Sequence, residues 1–389
     1  MADFAVFDLG DLSLYGGVEK VLYTLGNELL QNGHNFRIVG LVPEKSPQKP
    51  VVNWLLGFNV SRYQIPKTPR PERVHWLLRI LQNKPLLGAY RVILEDFGKN
   101  GVPDYCLVAH HFEIIPDLVQ IRRAKNLGFR IVYWDHGFLP FLKILTKYTS
   151  PFDLYRSLYL KLFYFAARYS IKRADFHLAI STGIKKLIQN FDPRADIRMV
   201  YNPVQVNPKK VARRSKLPTF LYVGRLDDFQ KNLSFLLRGL SNFAQKEWVL
   251  KIIGTGPDEE KLKKLAVQLE INDKIQWLGF QNDPFDSIEE CTALLLTSRF
   301  EGFSLVLVEA NAHGIPVISS NCISGPQDIV IEGVNGYLFP EGNLDSFVHI
   351  LEKAIDGKLV LASPEEIAKT SERFSAENFY NRFRTAFGI

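Results

Sequence analysis

Short apolar runs bounded by Gly, Pro and small polar residues alternate along this chain with longer stretches whose apolar residues recur every three or four positions. The runs have the length of buried parallel strands, and the stretches have the period of amphipathic helices. Phe4–Leu9 predicts a first strand, Gly10–Gly17 a turn-rich loop, and Val18–Asn32 a helix carried by Val18, Val21, Leu22, Leu25 and Leu29. Gly33 ends that helix, and Phe36–Val42 predicts the next strand. Residues 43–75 are rich in Pro, Lys and Arg without a clean period, which predicts a long connection before a helix over His75–Phe97. Strands at Tyr105–Ala109, Arg130–Trp134, Phe176–Ser181 and Ile197–Tyr201 follow, with helices at Ile114–Asn126 and Gly183–Asn190.

After Asn202-Pro203-Val204, the prolines and the basic run Lys209–Lys216 predict an interdomain linker. The pattern then restarts. Strands are expected at Thr219–Val223, Trp248–Ile253, Ile275–Leu278, Ala293–Leu296, Pro316–Ser319 and Leu338–Pro340. Helices are expected at Asn232–Ala244, Glu259–Leu269, Leu305–His313, from Gln327, and at Asn343–Ile355. The last helix, Ala376–Phe387, carries Phe379, Tyr380, Phe383 and Phe387 on one face, a surface that must dock on a core. Alternating strands and helices imply two α/β halves of similar plan, which suits 389 residues.

The stretch Ser298-Arg299-Phe300-Glu301-Gly302-Phe303-Ser304-Leu305 runs from a strand end into a helix start. Such a turn aims unpaired backbone N–H groups and the positive helix end at whatever lies above the sheet, a place suited to phosphate. Glu301 and Glu309 bracket it. A phosphate needs no acids, so the two carboxylates are read as acceptors for the hydroxyls of a ribose or hexose beside it. Arg225 lies just beyond a strand end and Lys231 at the start of the next helix, where both can converge on a pyrophosphate. There they would stabilise a diphosphate leaving group. Gly254-Thr255-Gly256 is a second small-residue loop at a strand end, open to a nucleobase.

In the first half, Gly16-Gly17 falls short of a full dinucleotide fingerprint and reads either as a tight turn or as backbone approaching a ligand. His136 stands just past a strand end, followed by Gly137, as a hydrogen-bonded loop residue or a ligand contact. Residues 151–173 mix aromatic residues with Arg and Lys. They fit a core helix with snorkelling cations or a helix lying on a membrane surface.

Composition narrows these readings. Apolar residues make up 46% and charged residues 23%, ordinary globular values. Cys106, Cys291 and Cys322 are far apart with no CxxC, which points away from a disulfide framework or zinc site and towards a reducing cytoplasm. The N-terminus carries acids where a signal peptide carries basic residues, and no stretch has the length of a spanning helix. The net charge of +7 is uneven: residues 1–205 hold 27 Lys and Arg against 17 Asp and Glu, the remainder 21 against 24. An anionic partner on the first half, such as a membrane surface, fits that division, and so does simple solvation. No RNP-like or helix-turn-helix pattern supports nucleic acid as that partner. No DxD or HxH signature is present, so metal independence is expected, with Arg225, Lys231 and the helix dipole supplying positive charge.

Arg225 and Lys231 together with Glu301-Gly302-Phe303 and Glu309 resemble the retaining nucleotide-sugar glycosyltransferases of family 4. Gly16-Gly17-Val18-Glu19 is similar to that family's first-loop GGxE, Asp135-His136-Gly137 to its strand-end histidine, and the spaced acids to its E-x7-E motif. His177–Ser181, Tyr201–Val204, Phe220–Leu226, Thr292–Ser298 and Ser324–Asp328 resemble in particular the family's lipopolysaccharide α-1,6-galactosyltransferases. The resemblance spans nearly the whole chain, although residues 43–170, where the family's acceptors bind, match no acceptor signature.

The resemblance implies an α/β chain of two Rossmann-like domains facing a cleft, the GT-B fold. It implies an acceptor domain at 1–205, a nucleotide-sugar domain at 206–372, and a terminal helix at 373–389 that crosses back. His136, Arg225, Lys231 and Glu301 take the catalytic places. Gly16, Gly17, Gly254, Gly256, Gly302, Phe303, Ser304, Leu305 and Glu309 take the donor-binding ones, with no metal and no cofactor beyond the UDP-sugar co-substrate. Gly17 backbone would approach the phosphates, Phe303, Ser304 and Leu305 would offer N–H groups, and Glu309 would bind the ribose. Retention in this family has no agreed protein nucleophile; a front-face path, with the leaving phosphate accepting the acceptor's proton, is favoured. The expected protein is cytoplasmic, or peripheral on the inner face of the membrane. It would transfer a hexose from a UDP-hexose to a saccharide acceptor, lipid-linked in one version. A protein or teichoic-acid acceptor, or a non-catalytic nucleotide-sugar-binding partner, stand as alternatives.

Overall fold

The computed structural model of the chain describes residues 1–8, 17–43, 58–65, 89–109, 111–148, 154–204 and 211–389. Two compact units result: Met1–Pro203 with Phe379–Ile389, and Val204–Asn378.

The first unit is built on a seven-stranded sheet: β1 (Asp3–Asp8), β2 (Asn35–Pro43), β3 (Asn59–Ile65), β4 (Tyr105–Ala109), β5 (Arg130–Asp135), β6 (Phe176–Ala179) and β7 (Ile197–Met199). Every pairing is parallel, in the order β3-β2-β1-β4-β5-β6-β7. The central strands read as near-continuous apolar runs because both faces are covered. This is a doubly wound order whose switch point lies between β1 and β4, where such sheets hold ligands at their carboxyl ends.

Two expectations for this unit are corrected. Residues 43–75 contain a strand, β3, where a connection alone was expected; residues 44–57 and 66–75 lie outside the described residues. It pairs along its whole length with β2 at the sheet edge, where exposure of Asn59 and Gln64 erases the apolar signature. The helix Phe138–Tyr148 is not among the expected elements; it carries Pro140 in its first turn. Proline is tolerated in a first turn, and the Asp135 carboxylate accepts from the N–H groups of Gly137 (2.7 Å) and Leu139 (3.1 Å). Most of the expected helix start, residues 75–88, lies outside the described residues.

The helix Leu154–Ile171 buries Leu160, Ala166, Ala167, Ser170 and Ile171, while Phe165 and Lys161 face outward. Its described part is therefore a packed helix of this unit. The terminal helix Ala376–Phe387 docks here as well: the Phe383 ring lies 5.6 Å from Phe4, and the Phe387 ring 4.8 Å from Tyr105 and 5.1 Å from Phe176. An Arg198 guanidinium donates to the Ala386 carbonyl at the end of that helix. The division at Phe379 rather than 373 has a local cause. Val204 N–H donates to Phe374 O (2.8 Å) and Asn378 Nδ2 to Glu372 O (2.9 Å), holding residues 372–378 on the second unit.

The second unit has six parallel strands: β8 (Thr219–Val223), β9 (Val249–Ile253), β10 (Ile275–Gly279), β11 (Ala293–Leu296), β12 (Val317–Asn321) and β13 (Gly336–Pro340). Their order is β10-β9-β8-β11-β12-β13, the same winding with its switch point between β8 and β11. Phe220, Tyr222, Leu236, Leu250, Leu295, Phe339 and Phe347 anchor its core. The three cysteines are unpaired and buried; burial pushes the thiols of Cys291 and Cys322 up to about 12 and that of Cys106 well above its ordinary range.

Candidate active site

In the second unit, the loops that leave β8 and β11 flank the switch point. After β8 the chain turns at Gly224 (φ 154°), and the buried Tyr222 hydroxyl donates to Arg225 O (2.9 Å), fixing the turn from below. Burial, with the Glu301 carboxylate nearby, raises that phenol's pKa well above its usual value, so it stays protonated. Asp227 then caps the short helix Asp228–Lys231, accepting from Gln230 N–H (3.3 Å). The helix ends at Asn232 in a left-handed conformation (φ 54°).

Lys231 at the end of that turn points its ammonium at Glu301, with Nζ 2.7 Å from Oε1. Ser298 Oγ donates to the same oxygen at 2.6 Å. The pair is largely sealed, with Lys231 at 16% and Glu301 at 7% side-chain exposure. The loop around it is tied at each step. Thr297 Oγ1 donates to the carbonyls of Lys231 and Asn232 (3.0 Å each), Arg299 to Phe229 O (2.7 Å) and Asn232 Oδ1 (2.6 Å), and Ser320 Oγ to Ser298 O (2.6 Å).

The chain then enters the helix Leu305–Ala312 through Ser304, which is left-handed (φ 76°), 6% exposed, and has an Oγ with no hydrogen-bond partner among the described residues. The helix's first N–H groups lack intrahelical acceptors by geometry, so Ser304 and Leu305 stand at a positive helix end as expected. The Phe303 side chain is buried against Phe374 (5.2 Å), which leaves its backbone for the turn. Gly302 O accepts from Ser324 Oγ (2.7 Å). Gly325 (φ 97°) lies so close beneath that a Cβ would stand 2.3 Å from Phe303 O. Glu309 is half-buried in the helix's second turn.

Arg225 and Lys231 engage different carboxylates. The Arg225 guanidinium is 63% exposed and pairs with Asp227 at 3.0 Å, whereas Lys231 is committed to Glu301. The glycines at 254 and 256 are required by the packing of the loops: a Cβ at Gly254 would stand 2.0 Å from Gly224 O and one at Gly256 2.4 Å from Leu226 O. The loop after β9 is thereby pressed onto the loop after β8, and Leu226 N–H donates to Thr255 O (3.0 Å).

In the first unit, His136 follows β5 with its ring 4.4 Å from Trp134. Gly17 opens the helix Gly17–Gln31 and is exposed; Gly16 lies outside the described residues. The carboxyl ends of β1 and β4 add two groups not singled out in the sequence, Asp8 and His111, with Nε2 3.5 Å from Oδ1. Burial holds His111 neutral, its pKa lowered to about 4, so the approach is that of an imidazole and not an imidazolium. Burial also pushes the nearby Glu113 carboxyl up to about 7.

Sequence reading had also passed over Tyr222, Ser298, Arg299, Ser320 and Ser324. Ser298 and Arg299 lie inside the stretch that drew attention to Glu301. A hydroxyl three residues before a sealed carboxylate was the available signal. Ser320 and Ser324 act through contacts 22 residues away in the chain, and the Tyr222 hydroxyl through a backbone carbonyl three residues on, neither of which residue spacing displays. Among the described residues, no three His, Cys, Asp or Glu side chains gather as metal ligands would, and no helix is long and apolar enough to cross a membrane.

Comparison with known proteins bears on both units. The family described as Glycosyltransferase Family 4 matches residues 15–207, and Glycosyl transferases group 1 matches residues 204–374. The chain is similar to the lipopolysaccharide 1,6-galactosyltransferase of Escherichia coli K12, with 40% identity over 54% of this chain and 60% of that protein. It is similar to the enzyme of the same name from Salmonella typhimurium, with 42% identity over 56% of this chain and 62% of the relative. The matched part thus spans about three fifths of these relatives' length. Among solved structures, the apo form of the lipopolysaccharide outer core galactosyltransferase WaaB aligns with TM-score 0.77 and 28% identity over 100% of this chain and 99% of that one. Anabaena Alr3699/HepE, solved in complex with UDP, aligns with TM-score 0.72 and 18% identity over 99% of both chains, a likeness of fold alone.

Proposed function

This chain belongs to the GT-B glycosyltransferases of family 4, and on that premise we propose that it moves a hexose, galactose or glucose, from a UDP-sugar to a saccharide acceptor with retention of configuration. The acceptor would be a cell-surface glycan of the lipopolysaccharide kind, in keeping with what the two bacterial relatives are named for. The observation that carries the reading is the Lys231–Glu301–Ser298 cluster beside the start of the helix Leu305–Ala312. A cation, a helix end and an oriented carboxylate are what a diphosphate joined to a polyol requires.

In this reading the helix start and Lys231 hold the diphosphate, with Arg225 turning from Asp227 to add a second cation. Glu301 accepts from hydroxyls of the donor sugar and Glu309 from the ribose, and His136 is the proposed catalytic group of the first unit. The bond from the anomeric carbon to the phosphate oxygen breaks while the acceptor oxygen bonds to that carbon on the same face. The acceptor's proton passes to the departing phosphate, and UDP leaves. Negative charge grows on the diphosphate, where Lys231 and the helix end stabilise it. These groups fill the place of a divalent ion, so we propose metal independence. Catalysis would take place at the cytoplasmic side, with the basic first half at an anionic membrane surface.

The test is transfer from UDP-galactose, UDP-glucose, UDP-N-acetylglucosamine and a GDP-sugar in turn to truncated lipopolysaccharide, with product configuration read by NMR. An α-hexosyl product from a UDP-hexose supports the reading. An inverted product, or use of the GDP-sugar alone, contradicts it.

A further inference from the structure

We infer that Ser298 is a positioning residue that decides which oxygen Glu301 presents to the donor sugar, an inference that rests on the functional reading above. Both side-chain donors on this carboxylate among the described residues, Lys231 Nζ at 2.7 Å and Ser298 Oγ at 2.6 Å, fall on Oε1; Oε2 receives neither. A carboxylate offers about four lone-pair directions on two oxygens. Loading one oxygen twice leaves the other to accept from a sugar hydroxyl.

The two donors differ in how well they hold that choice. An ammonium is a rotatable point charge on a flexible stem and bonds either oxygen equally well. Lys231 is also the cation a diphosphate would draw away. Ser298 is neither flexible nor exposed. Its side chain is fully buried, it follows β11 within two residues, and its carbonyl is pinned by Ser320 Oγ at 2.6 Å. Arg299 N–H, next in the chain, is bound to Gln230 O at 2.9 Å. When Lys231 turns to phosphate, the Ser298 hydroxyl is the bond that keeps Oε1 turned inward and Oε2 outward. Glu301 then reads one hydroxyl of the hexose in one direction, which is how a site separates sugars that differ only in the configuration of a hydroxyl.

The experiment compares wild type, Ser298→Ala, Ser298→Thr and Glu301→Gln in titrations with UDP, UDP-galactose and UDP-glucose. UDP lacks the hexose, so its affinity reports the contacts to base, ribose and phosphates alone. Ser298→Ala is expected to keep UDP affinity within about twofold while the gain in affinity of the preferred UDP-hexose over UDP shrinks by about tenfold, the weight of one buried charge-assisted hydrogen bond. The preference between the two hexoses narrows in parallel. Ser298→Thr, which keeps the hydroxyl, restores both. In the Glu301→Gln background Ser298→Ala adds nothing, because both act through one carboxylate.

A Ser298→Ala protein that keeps the full gain and preference overturns the inference. So does one that loses UDP and UDP-hexose affinity in equal proportion, which is what a general loosening of the loop would give. Wild-type protein that binds UDP-hexose no better than UDP also overturns it, while leaving nucleotide binding intact. Wild-type protein that binds neither overturns the functional reading beneath it.

Discussion

Lys231 and Glu301 stand 70 residues apart in the chain and 2.7 Å apart in the second unit. The contact exists because β8 and β11 are sheet neighbours, so the loops that leave their carboxyl ends meet. Removing either partner should abolish transfer without unfolding the protein. Lys231→Ala and Glu301→Ala are each expected to lower kcat/KM by at least about 100-fold, the usual weight of a charged group aimed at a developing charge. Lys231→Ala also strands a sealed carboxylate and should cost about 3 kcal/mol of stability, partly recovered in the Lys231→Ala/Glu301→Gln double variant. Denaturant unfolding and steady-state rates check both, and full activity in either single variant would contradict the account.

Backbone crowding around the phosphate turn gives a second test. At Gly325 the backbone is left-handed (φ 97°) and a Cβ would meet Phe303 O at 2.3 Å; at Gly254 it would meet Gly224 O at 2.0 Å. Neither obstacle is a flexible side chain, so the loops themselves must move. Gly325→Ala is expected to destabilise the protein by about 2 kcal/mol or more and to weaken UDP binding, since it shifts the turn before the helix Leu305–Ala312. Gly333→Ala is the control: it shares the positive φ (74°) but meets nothing within 4 Å, so it should lower stability by less and leave UDP affinity alone.

A third expectation concerns pH. His177 on β6 is 2% exposed, and burial lowers its imidazole pKa from 6.5 to about 4 despite the opposing pull of Asp192 and Asp196. The unfolded chain takes up a proton at a pH where the folded unit refuses it. The stability that neutral His177 confers is thus complete above pH 6.5 and is lost as pH falls from there to about 4, by about 3 kcal/mol in total. Glu113 works in the opposite sense: its carboxyl, raised by burial from 4.5 to about 7, withdraws stability as pH climbs through that window. Unfolding free energies of wild type and His177→Phe between pH 7 and 4 separate the two, the variant lacking the acid-side loss.

The terminal helix supplies a fourth. Phe383 is fully buried, with its ring 5.6 Å from Phe4 and 4.3 Å from Phe387. Phe383→Ala should therefore cost about 3–5 kcal/mol, unusual for a residue so near the chain end. Thermal unfolding of the variant decides whether this helix is integral to the first unit or an appendage.

Much of this structure was legible before any coordinates. Thr219–Val223, Ala293–Leu296, Tyr105–Ala109 and Ala376–Phe387 fall where their patterns put them, because buried parallel strands and one-sided helices leave strong signals. The turn from Glu301 into the helix at Leu305 was equally plain. Legibility failed where a signal is cancelled or carried elsewhere. Edge exposure removed the alternation of Asn59–Ile65, and the helix Phe138–Tyr148 starts directly after the strand-end loop at Asp135-His136-Gly137, with no polar break to mark it. The glycines at 254 and 256 invited a ligand, and tertiary packing adds a second demand on them, since their missing side chains make room for neighbouring backbone. Tyr222 and Ser320 were silent because a hydroxyl in a strand announces nothing until its acceptor is in place.

The most direct test of the account is donor cleavage by purified protein in EDTA. Each of the four sugar nucleotides is supplied with lipopolysaccharide acceptor, and free nucleotide is followed over time. The account predicts UDP release from one UDP-hexose, undiminished by chelation and abolished in Glu301→Ala. No release from any UDP-sugar, together with a titration showing no UDP binding, would contradict it.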